Sequence, residues 1–115
     1  MTVVLLSGDL AVLSRVEGAA ARLGQTVRSA SAESQAVDLC AAEGATTLVV
    51  DLSMASLDVA SLVSRLRSDA ASHPRVVAFG PHVHEQRLAA AREAGCDLVV
   101  SRGQFFSQLD AILAR

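Results

Sequence analysis

The chain has 115 residues, a net charge of −2 and an apolar half. That length fits one domain, 1–115, with its own core. The charge leaves no basic footprint for nucleic acid. No apolar run approaches the roughly 18 residues of a membrane span. Met1-Thr2-Val3-Val4-Leu5-Leu6 has no basic leader and runs into a Gly-Asp turn, so a cytoplasmic protein without a signal peptide is expected. All ten Lys-or-Arg positions are Arg, so no titrating lysine base exists.

In chain order, Val3–Leu6 reads as a buried strand ended by Ser7-Gly8-Asp9. Leu10, Leu13, Val16, Ala20 and Leu23 give a helical stripe, with Asp9 as N-cap and Gly24 after its end. Thr26–Ala30 alternates as an edge strand. Ser31 is expected to cap the second helix, with Ser34 or Gln35 at the reciprocal position. Ala36, Val37, Leu39 and Cys40 line that helix, and Gly44 follows it. Thr46–Val50 is apolar and β-branched and ends in Asp51, which places a carboxylate at the carboxyl end of a central strand. After a loop, Val59, Leu62, Val63, Leu66 and Ala70 mark an amphipathic helix capped by Asp58. His73-Pro74 ends it.

Arg75–Phe79 is the fourth strand and Gly80-Pro81 a turn. A helix over 83–94 stops at Gly95. Asp97–Val100 is the fifth strand, Ser101-Arg102-Gly103 a loop, and Phe105 to Leu113 the last helix. Five alternations of strand and helix demand a parallel sheet with right-handed crossovers. The expectation is an α/β, three-layer, doubly wound (βα)5 fold with strand order 2-1-3-4-5. Loops at Ser7–Asp9, Asp51–Asp58, Gly80–His84 and Ser101–Gln104 should converge at the strand ends. Cys40 and Cys96 form no metal motif and read as structural thiols.

Three stretches carry a resemblance: Asp51-Leu52-x-Met54-x-x-Leu57-Asp58 with Leu62, Val63, Leu66 and Arg67; Leu23-Gly24-x-x-Val27-x-x-Ala30; and Ala91-x-x-Ala94-Gly95-Cys96-Asp97. In order and spacing the whole chain resembles the receiver domain of two-component response regulators, a flavodoxin-like fold. The resemblance implies that Asp51 is equivalent to the phosphoacceptor. It also implies an acidic Mg²⁺ pair where Ser7 and Gly8 stand, a hydroxyl at Gly80, an aromatic at Val99 and a Lys-Pro pair at Arg102-Gly103. The usual Pro in the loop after the acceptor is Ala55.

With those groups replaced, Mg²⁺ loses its ligands, Asp9 and Asp51 being all that could hold it, and phosphoryl transfer loses its main charge stabiliser. The expectation is an atypical, pseudo-receiver module, not an enzyme and without a catalytic residue, that signals by protein contact. Its partner would be a kinase or a downstream effector. No cofactor is expected, unless Mg²⁺ binds a still competent site. Two readings of Asp51 stay open: Arg102 pairs with it in the vacated cation position, or it is a partly solvated strand-end acid that caps local N–H groups. Leu88, Val99, Phe105 and Phe106 are candidates for a partner or homodimer face formed by helix four, strand five and helix five, with one of the two phenylalanines in the core; an ordinary satellite of the core is the favoured account. Val83 and Ala91 would add to that patch.

Alternatives stay open: a degenerate receiver still phosphorylated on Asp51, or a flavodoxin-like module binding a small anion or nucleotide. His82 and His84 flank Val83 on the crevice side, but an enzyme pairing them with Asp51 is the least supported reading. Ser7-Gly8-Asp9 lacks the glycine spacing of a dinucleotide site.

Overall fold

Strand and helix follow one another because continuous apolar runs, buried on both faces, give way along the chain to amphipathic stripes of period 3.6. The computed structural model describes residues 1–68 and 73–115. Its elements are β1 (Thr2–Leu6), α1 (Leu10–Arg22), β2 (Thr26–Ala30), α2 (Glu33–Glu43), β3 (Thr47–Asp51) and α3 (Val59–Ser68). They continue with β4 (Arg75–Gly80), α4 (Glu85–Ala94), β5 (Leu98–Ser101), α5 (Arg102–Ser107) and α6 (Leu109–Leu113). The sheet is parallel throughout, in the expected order β2-β1-β3-β4-β5. Ala70, expected in the third helical stripe, lies outside the described residues.

β3 is buried at every position, as a central strand covered on both faces must be. One core layer joins Val4, Leu6, Leu48 and Val50 to α2, α3 and α4. The other joins Val3, Leu5, Val49, Val77 and Phe79 to α1, α5 and α6. Asp9 caps α1 as expected, and the helices close at glycines of positive φ, Gly24, Gly44 and Gly95. Cys40 lies in the first layer and Cys96 packs against it. Burial pushes both thiols up to about 11.

Several expectations need correcting. The buried face of α1 is Val12, Val16, Ala19 and Ala20, while Leu10 is 80% exposed. Leu10, the first residue of the helix, lies off that face. Ala32, not Ser31, is the N-cap of α2, although Gln35 still reaches back to accept from the Ser31 N–H at 3.0 Å. α4 begins at Glu85, because Pro81–His84 closes a turn first, with the His84 N–H on the Pro81 carbonyl. Ser101–Gly103 is no loop: Ser101 and Gln104 form a reciprocal capping box, so α5 starts at Arg102. The last helix breaks at Gln108 into α5 and α6.

The final carbonyls of α6 are held from the amino end of the sheet. Gln25 Nε2 donates to Leu113 O at 2.8 Å, and the Arg75 guanidinium donates to Ile112 O. Groups that a helix end leaves open are thus paired by tertiary contacts.

Candidate functional site

Asp51 ends β3 beside Phe79 of β4, with its neighbour Val50 paired to Leu6 of β1. It is 2% exposed. Burying a carboxylate costs free energy unless its oxygens are hydrogen-bonded. Here two serines supply the donors. Ser7 Oγ donates to Oδ2 at 2.8 Å. Ser53 donates to Oδ1 twice, from its N–H at 3.0 Å and its Oγ at 2.6 Å. Ser7 is fixed by its own N–H to Ala30 O, and its Oγ also accepts from the Asp9 N–H at 3.1 Å. Asp51-Leu52-Ser53 is a local turn in which an acid binds the backbone two residues on.

Asp9 commits its carboxylate to partners other than Ser7 and Ser53. Its Oδ1 accepts from the N–H groups of Ala11 at 2.9 Å and Val12 at 3.4 Å, and its Oδ2 from Arg102 Nη2 at 3.4 Å. The two N–H groups first, and Arg102 after them, hold its carboxyl below the ordinary 3.8. A lowered native pKa means stability that is present above the unfolded value and lost as pH falls through the native one. Asp9→Ala should therefore lower Tm at pH 7, and the gap from the parent should close toward pH 2. Melting curves across that range test this. A gap that persists at pH 2 would assign the loss to packing.

The expected Arg102–Asp51 pair is not formed. Ser7 and Ser53 already occupy the Asp51 oxygens, and a helix starting at Arg102 aims its guanidinium toward α1. There it reaches Asp9 and lies 5.2 Å from the Phe106 ring centroid. Arg15 of α1 lies 4.2 Å from the same centroid.

The donor set does not fit Mg²⁺. Asp51 offers one carboxylate whose oxygens both accept from serines, Asp9 is committed to the α1 terminus, and Ser7 brings a hydroxyl. Among the described residues no three His, Cys, Asp or Glu side chains gather as a metal site. Gly8 has open space where a Cβ would stand.

Gly80 is closed over. A Cβ there would meet Leu52 Cβ at 3.1 Å. Leu52 is itself pinned on both sides. Its N–H donates to Phe79 O at 2.8 Å, and its carbonyl accepts from Arg87 Nη1 of α4 at 2.8 Å.

The expected partner face is largely interior. Leu88 is 6% exposed, and Ala91 and Phe105 are fully buried. Val99 is half-buried against the α2–α4 layer. Phe106 belongs to the α1–α5 layer, edge-on to Phe79 and Phe105 at 5.9 and 5.2 Å. These side chains pack into the two core layers, Leu88 and Phe105 as buried members and Val99 and Phe106 in part. Val83 alone of this set is well exposed. His82 and His84 are exposed beside it. A groove of about 690 Å³ runs between Ser31–Ser34 and Met54–Asp58.

Sequence reading missed Ser53 and Arg87. An Asp-x-Ser turn signal announced the first. The second had no local signal, because its partner is a backbone carbonyl 35 residues away.

No protein-family model matches the chain, and no curated protein matches it. Solved structures do. A response-regulator receiver domain from Bermanella marisrubri superposes with a TM-score of 0.82 at 21% identity, covering 97% of this chain and 94% of that one. The receiver domain of a sensor histidine kinase from Pseudomonas aeruginosa, with magnesium coordinated in its active-site cleft, gives 0.81 at 17%, covering 97% and 93%. A Francisella response-regulator receiver domain gives 0.78 at 17%, covering 97% and 92%. The chain has the five-stranded, flavodoxin-like fold of response-regulator receiver domains.

Proposed function

We propose that this chain is an atypical receiver domain that acts in signal transduction through protein contacts, without normal Mg²⁺-dependent phosphorylation. The observation that carries this reading is the closed shell of Asp51. Asp51 is 2% exposed, its carboxylate is held by Ser7 and Ser53, and Asp9 caps a helix instead. A phosphoryl group arriving at Asp51 would have to displace the Ser7 or Ser53 donors. It would find neither a divalent cation to neutralise its charge nor a hydroxyl at Gly80 to draw inward.

The magnesium in the Pseudomonas aeruginosa domain shows that this fold can hold the ion. The difference proposed here lies in the ligands, because one carboxylate with serine neighbours gives a hard cation too little charge. Residues 1–115 form one receiver-like domain. Its partner is a kinase or downstream effector protein. No helix among the described residues is long and apolar enough to cross a membrane.

An amide NMR titration with Mg²⁺, followed by beryllofluoride as a phosphoryl mimic, tests the reading. The expected result is a spectrum that moves with neither. Saturable shifts at Asp51 and Ser53 that extend into β5 would overturn it in favour of a phosphorylatable receiver.

A further inference from the structure

Arg87 and Asp51 meet the same peptide group from opposite sides. In a trans peptide the carbonyl and the N–H point in opposite directions. The Leu52 carbonyl accepts from Arg87 Nη1 at 2.8 Å, and the N–H of that same peptide, on Ser53, donates to Asp51 Oδ1 at 3.0 Å. Among the described residues the Arg87 guanidinium makes no ion pair. Its one described side-chain hydrogen bond is this carbonyl.

We infer that Arg87 is a positioning residue that links α4 to the Asp51 carboxylate through the Leu52–Ser53 peptide. A guanidinium on the carbonyl makes a charge-assisted hydrogen bond. It polarises the peptide, so the N–H on the far side becomes a better donor, because hydrogen bonds in a chain strengthen one another. The Leu52 N–H, held by Phe79 O at 2.8 Å, anchors the preceding peptide and steadies the plane. The arrangement runs in both directions. Whatever removes the acceptor at Asp51 Oδ1 loosens the plane and weakens the hold on Arg87. Arg87 sits in the first turn of α4, where its N–H and that of Leu88 both donate to the His84 carbonyl. The start of α4 therefore responds to the state of Asp51 without a hydroxyl at Gly80 or an aromatic at Val99. The inference rests on the proposed reading of Asp51 as a serine-held carboxylate in a signalling module.

The test uses the full chain with no Mg²⁺ and no phosphoryl mimic, so its outcome is separate from that of the titration above. Amide exchange is followed by NMR in the parent, Arg87→Met, Arg87→Lys, Asp51→Val, and the Arg87→Met/Asp51→Val double variant. Arg87→Met should speed exchange of the distant Ser53 amide about tenfold, the size expected for losing a charge-assisted bond. Arg87→Lys should restore part of that protection. Asp51→Val should speed exchange over Arg87 and Leu88. The double variant should change these rates by less than the product of the single effects. The inference is overturned if Ser53 exchange is unmoved in Arg87→Met, or if the two substitutions act independently. Should Asp51→Val fail to fold, the Arg87 pair still decides, because Arg87 is exposed and Ser53 lies in another segment.

Discussion

Ser7→Asp combined with Gly8→Asp should turn the chain into a divalent-cation binder. The pair would set two carboxylates beside Asp51, and the backbone at Gly8 leaves a new side chain room. Without a cation the variant should be less stable than the parent, by about 2–4 kcal/mol. It loses the Ser7 donor and crowds like charges around a buried acid. Mg²⁺ should then return most of that loss, since a ligand at a hundred times its Kd stabilises by about 2.7 kcal/mol. Thermal melts with and without millimolar Mg²⁺ check this. The parent Tm should not respond to Mg²⁺, and the variant should rise by several degrees. A variant that ignores the ion would show that orientation, as well as missing charge, defeats the site.

Phe79→Ala should cost about 3–5 kcal/mol, as for other buried aromatics cut to alanine. Phe79 is fully buried, stacks on Phe105 with centroids 4.2 Å apart and planes 8° from parallel, and meets Phe106 edge-on. The three phenylalanines of the chain thus form one cluster, which ties β4, beside Asp51, to α5. Against a total stability of roughly 5–15 kcal/mol this one truncation brings the domain near unfolding at 37 °C. Urea unfolding of Phe79→Ala and Phe79→Leu measures it, with the leucine expected to lose less than half as much. A loss under about 1 kcal/mol for the alanine variant would mean that neighbours refill the space.

The fold was legible because its signals are local and periodic. The unbroken apolar β3 with Asp51 at its end, the stripe Val59-Leu62-Val63-Leu66, and the glycines after three helices all read directly. Boundaries slipped where two signals competed. At Ser101-Arg102-Gly103 a glycine suggested a loop, while Ser101 and Gln104 were already a capping box. Leu10 was apolar but sat on the wrong phase of its helix.

The site was half legible. Position along the chain brought Ser7, Asp9, Asp51, Gly80 and Arg102 to one end of the sheet. Side-chain direction decided the pairing, and it follows from where each helix starts. Asp9 turns to α1 because it is the cap, and Arg102 follows Asp9 because α5 starts at 102. Backbone acceptors such as Leu52 O leave no mark in a sequence, so Arg87 could not be read from it.

The space over Gly80 sets how large residue 80 can be. A serine or threonine there would bring its Cβ to 3.1 Å from Leu52 Cβ, so Leu52 has to give by a few tenths of an ångström. Shortening Leu52 to alanine leaves that Cβ, and so the contact, in place while it opens a gap in the core layer. Relief has to come from the backbone at 52, which Phe79 O and Arg87 hold from its two sides. The hydrogen bonds of one residue thus act as a gauge on the side chain its neighbouring strand can carry.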